Sequence, residues 1–71
     1  MSEYAISVPL PWCDLAHEVL TQDLYGIVDD ILDEAGTSTL VASCPFQETV
    51  LRRTLVDYLG TERVQIQQTA L

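Results

Sequence analysis

Apolar and polar positions alternate at the start of the chain, with Tyr4, Ile6 and Val8 on one face and Ala5 and Ser7 on the other. A period of two marks a half-buried strand. Pro9 and Pro11 end it, because proline has no N–H to give to a ladder. The period then lengthens. Asp14 is a good helix N-cap, and after it Ala16, Leu20, Leu24, Ile27, Val28, Ile31 and Ala35 recur at helical spacing, flanked by Leu15, Val19 and Leu32. Gly36 suits the residue that closes a helix. The spacing predicts one helix over 14–35, about 33 Å long at about 1.5 Å per residue. Gly26 inside it costs about 1 kcal/mol, so a break near Thr21–Gly26 is the alternative.

Thr39-Leu40-Val41-Ala42-Ser43 reads as a second strand. Ser43 or Cys44 is then expected to cap a second helix, with Pro45 in its first turn. Val50, Leu51, Leu55, Tyr58 and Leu59 form the apolar face of that helix, and Gly60 ends it. Val64 and Ile66 alternate with Gln65 and Gln67 as a third strand. The element order is β-α-β-α-β in one compact domain over residues 1–71. Strand–helix–strand crossovers favour parallel neighbours, with one antiparallel edge as the alternative, and the strand order is not readable. Two helices cannot cover both faces of a sheet, and Ser7, Gln65 and Gln67 fit an open polar face. The expected fold is therefore a small two-layer α/β sandwich, a three-stranded sheet with both helices on one face. Its edges leave room for a homodimer or for strand addition by a partner.

Charge changes the picture. Eleven acids stand against three arginines and no lysine, a net charge of −8. Residues 1–51 hold nine of the acids and no Lys or Arg, and residues 52–71 hold all three arginines. Such a surface speaks to the sign of the partner rather than to the fold. Nucleic acid and anionic membranes both require Lys and Arg, which argues against either as a direct ligand. The remaining options are a basic protein, a cation or a high-salt cytoplasm. At 48% hydrophobic residues, the chain is too apolar for a disordered acidic tail. No apolar run approaches the ~20 residues of a membrane span. Glu3 and the lack of a basic start do not fit a secretory signal. Cys13 and Cys44 allow at most one bridge, too few for a disulfide scaffold. The expected location is the cytoplasm.

On the predicted first helix, Asp14, Glu18, Gln22, Tyr25, Asp29 and Asp33 follow at three- or four-residue steps, opposite the apolar stripe. Carboxylates four residues apart on a helix stand about 6 Å apart, a spacing similar to phosphates along one DNA strand. Asp29/Asp33 and Asp30/Glu34 are like-charge pairs, each costing about 0.2–0.5 kcal/mol. Acids near a helix C-terminus lose about 0.3–1 kcal/mol more to the dipole. Acids held against stability point to a working surface, with Glu18, Asp23, Asp29, Asp30, Asp33 and Glu34 as the partner-binding candidates. The plainer readings are a solvated face and halophilic adaptation. Arg52, Arg53 or Arg63 are candidates to neutralise part of the patch. A Ca²⁺ site lacks a glycine-centred acidic loop.

Other chemistry is sparse. His17 is the only histidine, so zinc has no ligand set, and no metal or cofactor is expected. No nucleophile triad, phosphate loop or dinucleotide fingerprint is present, and the chain does not read as an enzyme. Trp12 lies in Pro9-Leu10-Pro11-Trp12 as a core lid or an interface anchor. Glu48–Arg52 and Arg53–Asp57 have the spacing of surface ion pairs. Cys44-Pro45 follows a strand and opens the expected helix, where a thiol pKa is lowered. It resembles in part the Cys-Pro-x-Pro motif of small sulfur-carrier proteins. Position 47 is Gln47 rather than proline, and the motif opens the second helix rather than the first. A buried, inert Cys44 is the plainer alternative, and Cys13 reads as packing.

In size and charge the whole chain resembles small acidic phage-encoded inhibitors, the anti-CRISPR and anti-restriction proteins that mimic DNA. That resemblance implies a protein-binding inhibitor or adaptor on a basic, nucleic-acid-binding surface of a larger partner. Asp29, Asp30, Asp33 and Glu34 would then stand in for phosphates. A thiol or sulfur-carrier role for Cys44, and a structural subunit role, are the alternatives.

Overall fold

The structure, a computed structural model, describes residues 1–69. Strand β1 (Ser2–Pro9) runs into a single 3-10 turn, Leu10–Trp12. Helix α1 (Cys13–Glu18) follows and widens into a π-helical turn, Val19–Asp23. Strands β2 (Ile27–Glu34) and β3 (Thr37–Cys44) form a hairpin. Helix α2 (Glu48–Leu59) and strand β4 (Gln65–Gln68) complete the chain. The sheet order is β2-β3-β1-β4, and every pair is antiparallel. This is the connectivity of a split β-α-β-β-α-β motif.

The α/β class and the two-layer plan hold. The detail does not: the sheet has four strands rather than three, and its neighbours are antiparallel rather than parallel. The expected helix over 14–35 stops at Asp23, and its second half is strand β2. Gly26 shows why. A β-carbon there would lie 2.7 Å from Cys44 Sγ and 2.9 Å from the Leu20 carbonyl oxygen. The chain must lie flat against the end of β3 at this point, and only glycine allows it. The Gly26 N–H donates to Leu20 O (2.7 Å) and closes the helix. Tyr25 just before it takes a left-handed φ of 52°, a conformation that strains a bulky residue.

Gly36 is left-handed (φ 78°), the backbone its place after Ala35 predicts, but it closes no helix. With Ala35 (φ 51°) it makes the two-residue turn between β2 and β3. Two consecutive positive φ angles give the turn whose twist matches antiparallel strands. Cys44 is the last residue of β3, and the α2 N-cap is Gln47 rather than Ser43 or Cys44. Helix α1 starts one residue before Asp14, with Trp12 at the N-cap position.

The core lies between the sheet and the helices. Tyr4, Ile6 and Val8 of β1 meet Leu40, Ala42 and Cys44 of β3 and Ile66 of β4 on one side. Ala16, Val19 and Leu20 of the first helical segment and Leu24 just after it, with Leu51, Leu55 and Leu59 of α2, close it on the other. The Tyr4 hydroxyl donates to Phe46 O (2.9 Å) and ties β1 to the segment before α2. The opposite sheet face carries no helix, and there the hydroxyls of Ser7 and Thr39 hydrogen-bond across the strands (2.9 Å). Of the described residues, no helix is long and apolar enough to cross a membrane.

Candidate functional site: the acidic edge strand

Strand β2 ends the sheet. It pairs with β3 on one side only, from Ile27 opposite Ser43 to Glu34 opposite Thr37. Register shifts between Val28 and Asp30, which leaves Asp29 as the extra residue of a β-bulge. Cross-strand partners share a face, so the register assigns each side chain. Val28, Ile31 and Asp33 oppose Ala42, Leu40 and Ser38 and lie on the helix side. Ile27, Asp30, Leu32 and Glu34 oppose Ser43, Val41, Thr39 and Thr37 and lie on the open side.

Three of the apolar residues expected in a helix stripe are therefore exposed: Ile27 (59%), Ile31 (40%) and Leu32 (56%), with Tyr25 at 68% beside them. Only Val28 packs against the core. All four acids of the strand are exposed as well.

The six candidate acids are not one row. Glu18 and Asp23 stay on the first helical segment, and the other four lie on β2. Asp23 sits against Tyr58 of α2. Side-chain hydrogen bonding to Asp23, then its charge, raise the Tyr58 phenol above its ordinary value. Asp30 and Glu34 share the open side but stand about 13 Å apart along a strand, at about 3.3 Å per residue. Leu32 lies between them, so the phosphate-like 6 Å ladder does not form. Asp30 Oδ1 also accepts from the Ile31 N–H (2.9 Å).

Asp33 has a structural task that the sequence did not signal. Ser38 is the fully buried polar side chain of the described residues. Its hydroxyl donates to Asp33 Oδ1 (2.6 Å), and its Oγ stands 2.9 Å from Cys13 Sγ. A single hydroxyl proton goes to the carboxylate, the stronger acceptor, so the Cys13 S–H is the donor to Ser38. Asp33→Ala is expected to cost about 1 kcal/mol, the low end for orphaning a buried hydroxyl because the sulfur remains. Asp33→Asn, which keeps an oxygen acceptor, should cost less. Urea denaturation of the two variants tests this.

None of the arginines neutralises the patch. Among the described residues the one ion pair is Arg52 with Glu48 (3.5 Å), on α2. Arg52 also donates to Val64 O (2.9 Å) and pins the start of β4. Also among the described residues, no three His, Cys, Asp or Glu side chains group to hold a metal ion. His17 is exposed on α1, and Trp12 is partly exposed in the 3-10 turn.

Cys44 is buried, and burial pushes its thiol above the ordinary 9.0. That is the reverse of an activated thiolate. The unfolded chain releases this proton near pH 9 while the folded chain retains it. Stability is therefore expected to fall as pH rises above about 9. Urea midpoints between about pH 8 and 11 should show a smaller alkaline loss in Cys44→Ala. Tyr58, also raised, adds a loss of the same sign from about 10 upward.

The chain was compared with protein-family models, with curated proteins and with solved structures, and none of them matches.

Proposed function

We propose that this protein is an acidic protein-binding inhibitor or adaptor that occupies a basic, nucleic-acid-binding surface of a larger protein. Anti-CRISPR and anti-restriction proteins that mimic DNA are the nearest functional kind. The working surface is β2 with the adjoining open face, and the setting is the cytoplasm. The single observation behind this reading is the composition of that edge. Asp29, Asp30 and Glu34 are exposed with no arginine against them, beside exposed Ile27 and Leu32. A strand selected only for solubility has no use for three large exposed apolar side chains. Mimicry here lies in the sign of the charge and in excluding the nucleic acid, since the strand does not carry carboxylates at phosphate intervals. A thiol function at Cys44 finds no support in a buried thiol.

The test is capture from lysate with the tagged protein beside an Asp29→Asn, Asp30→Asn, Glu34→Gln variant. Asp33 is retained so that Ser38 keeps its partner. The expected result is a basic nucleic-acid-binding protein held by the parent and released by nucleic acid. The variant should bind it about tenfold or more weakly, and added salt should weaken the parent complex steeply. Equal capture of that partner by the variant would exclude the acids as the contact.

A further inference from the structure

We propose that the free edge of β2 takes up a basic, extended segment of the partner as an added antiparallel or parallel strand. This rests on the reading above and supplies its mode of contact. An edge strand offers a row of unpaired N–H and C=O groups, and proteins guard such edges with short length, charge or a covering element. The other edge of this sheet, β4, is short, with four residues and three glutamines. β2 has eight residues and, among the described strands, pairs with β3 alone. Tyr25, Ile27, Ile31 and Leu32 place four of the large exposed hydrophobic side chains along this one edge.

Charge selects the occupant. A second copy pairing through β2 would bring two sets of four carboxylates to within a strand spacing, about 4.8 Å. Like charges across a ladder repel, so the acids guard the edge against self-association. The same acids attract a segment of opposite sign. Strand addition draws affinity from the backbone and specificity from alternate side chains. On the open side β2 presents Asp30, Leu32 and Glu34 in succession. The matching face of the incoming strand is basic–x–apolar–x–basic, with Lys or Arg against Asp30 and Glu34 and an apolar residue against Leu32. On the helix side Ile31 offers a second apolar contact, while Asp33 stays with Ser38. A basic residue opposite Asp30 also competes for the carboxylate that now accepts from the Ile31 N–H.

The test uses a synthetic peptide with a Lys-Thr-Ile-Thr-Lys core and the same peptide with every core backbone nitrogen methylated. Methylation keeps the charges and removes the donors. The expected result is binding of the first peptide, with hydrogen-exchange protection rising across 27–34. The methylated peptide should bind at least about tenfold more weakly, since several backbone hydrogen bonds are lost. Equal affinity of the two peptides would overturn strand addition and leave the charge-based reading standing. Binding by neither would also overturn it, while lysate capture by the parent protein would still support a folded basic partner. Protection of 27–34 that grows with protein concentration and without peptide would assign the edge to a second copy and overturn the proposal.

Discussion

Leu40→Ala is expected to remove about 2–5 kcal/mol of stability, the usual range for truncating a buried leucine where the site cannot collapse. Leu40 is fully buried in β3, opposite Ile6 of β1 on one side and Ile31 of β2 on the other. It thus joins the edge strand to the sheet centre. At about 0.05–0.15 kcal/mol per residue, a chain of 71 residues has about 4–11 kcal/mol in all, so this loss is a large share of it. The measurement is a urea titration in which the midpoint falls while the slope stays the same, as for a pure stability loss. A loss under about 1 kcal/mol would mean that β2 and β3 are held together mainly by their ladder rather than by side-chain packing.

Gly26→Ala comes next, with an expected loss of about 1–3 kcal/mol from overpacking. The added methyl would meet Cys44 Sγ at 2.7 Å and the Leu20 carbonyl oxygen at 2.9 Å. The sulfur is a side-chain atom, but the carbonyl belongs to the helix end that Gly26 itself closes. Helix propensity alone makes the opposite prediction, a gain of about 1 kcal/mol for alanine over glycine inside a helix. The sign of the change therefore separates the two accounts of residues 24–27. A Gly26→Ala, Cys44→Ala double variant should recover part of the loss, because it removes the sulfur contact and leaves the carbonyl one. Non-additivity in that cycle is the readout. Partner capture by Gly26→Ala should fall with stability, since this residue sets where β2 begins.

Much of the scaffold was legible. Tyr4, Ile6 and Val8 are buried as their alternation predicts, and the strand read at 39–43 lies within β3. Leu51, Leu55 and Leu59 line the buried side of α2, but Val50 and Tyr58, expected on the same face, are exposed; Gly60 ends the helix with a left-handed φ of 69°. These elements have one face in the core and one in water, so the period of burial is written into the residues. The open sheet face was also foreseen, because two helices cannot cover both sides of a sheet.

The acidic segment was not legible, for a physical reason. β2 is an edge strand exposed on both faces, so burial imposes no alternation on it. The bulge at Asp29 then shifts its parity. Val28 and Ile31 fall on the same side three residues apart, and Ile27 and Leu32 share the other side five apart. The three-residue step between Val28 and Ile31 matches the spacing of a helix stripe, and the exposed acids around it match a polar helix face. The role of Asp33 was hidden likewise, since its partner Ser38 lies on another strand and is itself held by Cys13 of a third element.

By itself the sequence determined the charge, its concentration before Arg52, the core face of β1, the three buried leucines of α2 and the helix end at Gly60. Those follow from local stereochemistry and from one-sided burial, which leave a periodic trace in the chain. Only the tertiary structure decided that residues 27–34 are a strand, that Gly26 is the close contact that makes them so, and that the acids line a sheet edge beside exposed apolar side chains. Each of these depends on β3 lying alongside, and a neighbour that supplies backbone pairing on one side and nothing on the other leaves no period to read.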